Sequence, residues 1–333
     1  MSLFLYPLPR KRGRVGRGCV IKGLLLIQLG TPSAPTITSV RSFLKTFLSD
    51  PYVVDIPRLF RKLLLYLIIL PFRAPKTTRL YRSIWTEQGS PLRVHSEQLL
   101  KAVQQQLGNT WCVALGMRYG EPFLKDAIQR LAHCRQVVVL PLFPHYALSS
   151  TETAQRAASR YLGRYFAANE LFYITQFWDN PGFIEVCAHQ IEKHTAKTLY
   201  EHILFSYHGL PNRQDPNQQY RAHCIATSEA ISSALGGVAH TTAFQSSLGK
   251  HWTLPNIVDI LPQLRQQGIA HLAVMAPGFV ADCLETLEEL NIRLRAQWAA
   301  LGGEAFVYVP CLNQEAEWVQ VVSAFAQKAI FSP

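Results

Sequence analysis

No two of the seven cysteines (19, 112, 134, 187, 224, 283 and 311) form a C-x-x-C pair, and their number is odd. That argues against a disulfide framework, a zinc finger or a cysteine-rich cluster motif, and it fits a reducing cytoplasm. Gly-rich phosphate-binding loops are missing as well. Gly30-Thr31-Pro32 has neither a G-x-G-x-x-G pattern nor a P-loop lysine, which disfavours a dinucleotide enzyme. The most apolar run, residues 63–70, falls well short of the roughly 20 residues that cross a bilayer. The N-terminus has charges but no following apolar h-region and no A-x-A-like cleavage site, so a signal peptide is not expected. Charged residues are only 17% against 48% hydrophobic, the balance of a folded globular protein rather than a disordered one.

Acidic residues are also scarce where they would matter most. Of the 33 Lys/Arg and 22 Asp/Glu, fifteen bases but only Asp50 and Asp55 lie at or before Ser83, leaving 18 bases against 20 acids in the rest. The net charge of +11 therefore belongs to the first quarter of the chain. Residues 1–22 hold Arg10, Lys11, Arg12, Arg14 and Arg17 among Gly and Pro and read as a disordered basic arm. Residues 59–73 set an apolar core between Arg61, Lys62 and Arg73. That pattern suits a segment resting on an anionic membrane surface, and it equally suits a buried helix. An apolar lip around a ligand pocket would combine the two. Nucleic acid is not the expected partner, because the bases lack interleaved stacking aromatics.

The chain's 333 residues allow two domains of roughly 150 each. Short aliphatic and β-branched runs predict strands at 23–29, 110–116, 136–142, 171–177, 202–207, 239–244, 271–276 and 305–309. Helical patterns fall between and after them, at 36–49, 92–107, 121–133, 150–166, 181–196, 217–235, 256–267, 282–301 and 314–330. Glu121-Pro122 and Asn180-Pro181 read as helix starts. Strand–helix alternation means an α/β fold with right-handed crossovers. The expectation is two Rossmann-like domains, each a parallel sheet flanked by helices, at 23–165 and 166–312, with helix 314–330 folding back on the first. Three strands would precede the Pro141–Pro144 break and five follow it. No internal repeat shows in the sequence.

Two strand ends carry chemistry. Ser206-Tyr207-His208-Gly209-Leu210-Pro211 places a histidine at the end of the apolar strand Ile203-Leu204-Phe205, before a Gly and Pro that stop it. The carboxyl ends of parallel strands face the ligand crevice, where an imidazole can take a proton or bind a metal. Downstream, Pro277-Gly278 ends a strand and a helix opens with carboxylates. Asp282, Glu285 and Glu289, spaced i, i+3, i+7, would share one helical face. Acids in a first turn are also ordinary dipole partners. Clustered carboxylates raise one another's pKa and exchange protons and cations, and imidazole with carboxylates and open positions suits Fe(II).

With these residues in view, the chain resembles the ferrochelatases, lyases of heme biosynthesis, from about Gly23 to the final helix. The resemblance rests on Leu29-Gly30-Thr31-Pro32, Phe47-Leu48-Ser49-Asp50-Pro51 with Val53-Val54-Asp55, Gly89-Ser90-Pro91-Leu92, Met117-Arg118-Tyr119-Gly120, Leu140-Pro141-Leu142-Phe143-Pro144, the His208 motif, Phe244-Gln245-Ser246 and Cys283-Leu284-Glu285-Thr286-Leu287. It implies a chelatase-like fold with the active-site cleft between the two domains. It also implies insertion of Fe(2+) into protoporphyrin IX to give protoheme. By that resemblance His208 and Glu285 face each other across the cleft as catalytic and metal-contacting residues, His208 abstracting pyrrole protons. Asp282 and Glu289 continue an acidic path, while Leu29, Ser90, Arg118 and Tyr119 contact a distorted porphyrin, an Arg or hydroxyl holding its propionates.

Residues 59–73 would be the hydrophobic lip, giving peripheral association with the inner face of the membrane from the cytoplasm. Both iron and macrocycle are substrates, so no prosthetic group is expected. Only Cys311 lies in the last 49 residues, so an iron–sulfur cluster of the C-terminal type is not expected either. Ser247 stands where the family usually has a basic residue, and His145 where it usually has Gln or Ser, a structural residue or an extra ligand. Two other readings stay open: a chelatase for coproporphyrin or cobalt, and a non-catalytic tetrapyrrole or metal carrier.

Overall fold

The computed structural model describes residues 21–247, 249 and 251–331. Most of the expected basic arm, Cys19 included, lies outside them. Aliphatic residues on both faces make β1 (Lys22–Gly30) the centre of a parallel sheet with β2 (Trp111–Tyr119), β3 (Gln136–Pro141) and β4 (Leu171–Tyr173), in the order β2-β1-β3-β4. A second parallel sheet uses β5 (His202–His208), β6 (His240–Gln245), β7 (His271–Met275) and β8 (Ala305–Tyr308), in the order β6-β5-β7-β8. The two orders are the same permutation, so the fold repeats where the sequence shows no repeat. The expected division of three and five strands is corrected to four and four, because residues 171–173 pair with 137–139 of β3.

Each sheet buries both faces, as a parallel sheet must. In the first, Leu25 and Ile27 pack under α5 (Leu124–Leu131) and α6 (Thr153–Leu162), while Leu24 and Leu26 face α4 (Pro91–Leu107). In the second, Leu204, Leu272 and Val274 face α9 (Ile257–Gln266), whereas Ile203 and Phe205 face α7 (Pro181–Thr195) and α8 (Gln219–Ala234). The inner faces of the two sheets join in one core, and the last helix, Ala316–Phe331, packs against α4, α7, β3 and β4. Its Trp318 is fully buried among Phe177, Phe183 and Phe325.

Of the two helix starts expected from the sequence, one forms where expected and one is displaced. Asn180 caps α7 by accepting from the Phe183 N–H at 3.2 Å. The start expected at Glu121-Pro122 is displaced, since α5 begins at Leu124. After α1 (Ile37–Leu48), one helical stretch, for whose 59–73 part a buried helix was one of two readings of the sequence, runs through α2 (Arg58–Leu63), a wider-turned π segment (Leu64–Arg73) and α3 (Ala74–Ile84). Pro71 sits inside the π segment, where the altered ladder accommodates a residue with no N–H to donate. Its apolar residues split between two environments. Leu65, Ile69 and Leu70 are buried, whereas Leu67, Ile68 and Phe72 are 64%, 56% and 75% exposed.

Candidate active site

In each sheet the first strand has the second on one side and the third on the other, so the chain reverses its winding there. Such switch points open a crevice at the carboxyl ends of the strands. The two switch points are the ends of β1, at Leu29-Gly30-Thr31, and of β5, at His208. Gly30 has φ +119°, and a Cβ there would lie 1.7 Å from the Tyr119 carbonyl oxygen, so β1 and β2 can end this close together only with glycine. Leu29 is half-buried at the same edge.

His208 is also half-buried. Its Nδ1 lies 2.7 Å from the Gly209 carbonyl oxygen, and its own carbonyl accepts from the Tyr220 hydroxyl at 2.9 Å. A carbonyl only accepts, so Nδ1 carries the hydrogen, and in the neutral imidazole Nε2 is then the nitrogen with the lone pair. Among the described residues no protein group bonds to that Nε2. The loop beyond His208 is docked on the first half of the chain, because Gln214 Nε2 donates to the carbonyls of Tyr52 and Val53 at 3.3 and 3.4 Å.

Gln245 links His208 to Glu285. It is the register partner of His208 across β5 and β6, and its carbonyl accepts from the Gly209 N–H at 2.8 Å. Its side-chain oxygen accepts from Ser206 Oγ, and its Nε2 donates to the Glu285 carbonyl at 2.9 Å. Ser206 and Gln245 are both fully buried. Ser246 follows with φ 60°, a conformation that L residues seldom adopt. That turn aims its N–H (3.0 Å) and hydroxyl (2.7 Å) at the two carboxylate oxygens of Glu289. Glu285 and Glu289 are half-buried on a π-helical stretch, Glu285–Leu294, that continues as α10 (Arg295–Ala300).

The shared face expected for Asp282, Glu285 and Glu289 does not form, because Asp282 lies ahead of the first turn. Asp282 is buried, and its carboxylate accepts from Tyr308, Thr286 (3.1 Å), Asn313 (2.8 Å) and the Cys311 N–H (3.3 Å). It fastens the Pro277–Glu285 loop to β8 and the loop that follows it. Glu288 is likewise buried and is paired with Arg293.

The first half of the chain closes around this helix. Leu284 and Leu287 pack on the cluster formed by Val40, Leu65, Ile69 and Tyr81. Tyr81 lies near Glu285 and touches Thr31; burial and the Glu285 charge push its phenol well above the ordinary range. Thr31 and the buried Ser90 hydroxyl share a 2.7 Å hydrogen bond. Arg118 and Tyr119 meet at Asp50. Arg118 donates from Nε to Thr153 Oγ1 at 2.8 Å and pairs with the Asp50 carboxylate, to which the Tyr119 and Thr153 hydroxyls each donate at 2.7 Å. Burial raises the Asp50 carboxyl, but the hydrogen bonds from Thr153, Tyr119 and the Tyr52 N–H, with the Arg118 charge, hold it below the usual range. Tyr119 is fully buried, so of the four expected porphyrin contacts Leu29 and Arg118 keep open surface.

His145 is a buried residue of the core. Thr227 spends its hydroxyl hydrogen on the His223 or Trp178 carbonyl, so His145 Nε2 donates to Thr227 Oγ1 at 2.9 Å. Nδ1 then faces no partner, and burial, with the neighbouring charge of His223, pushes the ring down to about 3.

Sequence reasoning did not single out Tyr81, Asp50 or the bridging role of Gln245. Asp50 and Gln245 fall inside quoted motifs, whereas Tyr81 had no local signal.

Comparison with known proteins gives one answer. The sequence model of the ferrochelatase family matches residues 21–330. Ferrochelatases of Legionella pneumophila (331 aligned residues, 93% of this chain and 99% of the relative) and Coxiella burnetii (338 residues, 92% and 94%) are each 40% identical to it. Among solved structures, SirB from Bacillus subtilis with Fe3+ superposes with a TM-score of 0.56 at 9% identity, covering 93% of this chain and 95% of that one. The sirohydrochlorin chelatase SirB from subspecies spizizenii, in complex with cobalt, gives 0.55 at 8% identity, covering 94% and 97%. These two share the fold alone. With the family match over nearly the whole chain and relatives at 40% identity, the chain belongs to the ferrochelatase family of metal-chelatase enzymes.

Proposed function

We propose that this enzyme inserts Fe(II) into protoporphyrin IX, releasing two protons and protoheme, in the crevice at the ends of β1 and β5. The observation that carries the reading is the geometry of His208 at a switch point: Nδ1–H is tied to the Gly209 carbonyl, and Nε2 has no protein partner among the described residues. That nitrogen takes a pyrrole N–H proton and can touch the incoming metal. Glu285, fixed through its backbone by Gln245, offers a carboxylate to the metal or to the second proton. Glu289, gripped by Ser246, continues the acidic side. Asp282 holds the loop that carries Glu285 in place. Leu29 supplies apolar wall, and Arg118, whose Nη1 is uncommitted among the described residues, supplies a cation for a propionate. Tyr119 and Ser90 support that wall through Asp50 and Thr31. The reaction needs no prosthetic group, since metal and macrocycle are both substrates.

The surface beside the site fits an insoluble substrate. Leu67, Ile68 and Phe72 project from the lip between Lys62 and Arg73, and a groove of about 560 Å³ next to it is lined by Arg41, Lys45 and Tyr66. No helix among the described residues is long and apolar enough to cross a membrane. We therefore place the enzyme peripherally on an anionic membrane face, in the cytoplasm, with cations contributing about 1 kcal/mol each near such a surface.

An anaerobic substrate panel tests the proposal: protoporphyrin IX or coproporphyrin, each with Fe(II) or Co(II), ranked by kcat/KM. The highest value is expected for Fe(II) with protoporphyrin IX. Faster turnover of another pair reassigns the substrate, and porphyrin binding without turnover of any pair makes the protein a carrier.

A further inference from the structure

A second group of metal-ligating side chains lies at the other end of the first sheet. Cys112 is the second residue of β2, and His133 and Cys134 occupy the turn between α5 and β3. Their ligand atoms, two thiol sulfurs and an imidazole nitrogen, all fall within 4.8 Å of one another. Ligands about 2.3 Å from a tetrahedral zinc sit roughly 3.8 Å apart, so only a small contraction is needed. Gly23 pairs with Cys112 in β1 and is eight strand positions from Thr31, about 26 Å at ~3.3 Å per residue. This group is therefore separate from the active-site crevice.

The approach of the two sulfurs has a structural cause. β1 lies between β2 and β3, so Cys134 must reach across β1 to meet Cys112. The β1 residue in the way is Gly23. A Cβ there would lie 3.3 Å from Cys134 Sγ and 3.0 Å from Val137 Cγ2, closer than a side chain tolerates without displacing them. Glycine leaves the space through which the thiols meet. The Cys134 turn is fixed by its N–H to the Leu131 carbonyl at 2.8 Å, and the Arg135 N–H is bonded to the Ile21 carbonyl at 3.0 Å. Cys134 is buried, Cys112 half-buried and His133 exposed, which leaves one side open to solvent.

We propose that Cys112, His133 and Cys134 form a site for a thiophilic divalent cation of the zinc class, with a fourth position open to water or an exogenous ligand. Two thiolates and one imidazole select a borderline-soft ion over hard, oxygen-seeking ones. The ion clips β2 to the entrance of β3 across β1.

The test uses the full chain, reduced and anaerobic, in a Cys19→Ser background. Co(II) is titrated first, followed by Zn(II). One bound Co(II) with a thiolate-to-cobalt charge-transfer band and intense tetrahedral d–d absorption, displaced by Zn(II), is the expected result. Cys112→Ser should weaken binding at least 100-fold. His133→Ala, at an exposed position that leaves the fold intact, should weaken it at least tenfold. The bands should persist in His208→Ala, and Zn(II) should raise Tm by several degrees in the parent but not in Cys112→Ser. Absence of the thiolate band, bands that survive Cys112→Ser or vanish in His208→Ala, or binding unchanged in His133→Ala would each overturn the proposal. So would a Cys112–Cys134 disulfide that persists under reductant.

Discussion

Replacing Gln245 by Met tests whether the link between the histidine strand and the glutamate helix matters for catalysis. Methionine keeps the length and apolar volume but removes both the acceptor for Ser206 Oγ and the donor to the Glu285 carbonyl. Ser206 is fully buried, so its hydroxyl loses its partner with no water to replace it. An unsatisfied buried group costs about 1–3 kcal/mol. The lost bond to the Glu285 carbonyl adds about 1 kcal/mol, for about 2–4 kcal/mol in all. Glu285 is no longer held in register with His208. Misplacement of reacting groups by about 1 Å can cost on the order of 100-fold in rate, so kcat for metal insertion should fall 10- to 100-fold. KM for the porphyrin should stay within about threefold, because Gln245 is buried beneath the site and meets no ligand. The assay is anaerobic metalloporphyrin formation, with denaturant unfolding run on the same preparation. A variant that loses the expected stability but turns over within twofold of the parent would refute the positioning role.

Three further outcomes follow from other parts of the structure. The folded His145 ring is held down at about 3 against ~6.5 in an unfolded chain, so the unfolded state takes up the proton first. Stability should then fall as pH drops below ~6.5, by at most about 1.4 kcal/mol per pH unit until the folded value is reached; His145→Gln should flatten that slope in urea melts, and an unchanged slope would contradict it. Asp50 is depressed below an ordinary carboxyl, so its contribution is present above ~pH 4 and is lost as pH falls through the folded value. Asp50→Asn should cost about 1–3 kcal/mol at pH 7, discounted for the partial exposure of Arg118, and should reduce the acid sensitivity of Tm. Serine at Leu67, Ile68 and Phe72 together should weaken partitioning onto anionic vesicles at least tenfold, at about 1 kcal/mol or more per exposed apolar side chain, and leave Tm nearly unchanged. Vesicle binding equal to the parent's would rule the lip out as the membrane contact.

Local signals made most of the architecture legible. Aliphatic runs gave all eight strands, and Asn180 marked the start of α7 with its cap. Strand assignment to sheets was not legible, because β4 has only three residues and its partners in β3 lie 34 positions away in sequence. The full extent of the 58–84 helix was not legible, and its 59–73 part stayed open between two readings, because Pro71 and Pro75 punctuate it and apolar residues surround it on every side. Those on one face serve the core and those on the other serve the lip. In the site, His208 and Glu285 announced themselves as strand-end and helix-start residues. Asp282 did not behave as its spacing implied, since helical periodicity holds only inside a helix and the helix begins later. The Cys112–Cys134 encounter was hidden for a related reason. Twenty-two positions apart, with no C-x-x-C, the two thiols meet only because sheet order places β1 between them and β1 carries glycine there.

If His208 is the proton-accepting base of a metal-inserting cleft, His208→Ala should remove turnover and spare porphyrin binding. Porphyrin affinity, read by fluorescence quenching, and anaerobic kcat with Fe(II) and protoporphyrin IX should be measured on one preparation. Affinity should stay within about threefold of the parent while kcat falls by about 10²–10⁴-fold, the range for loss of a general base. A kcat within a few-fold of the parent, with folding intact, would contradict it.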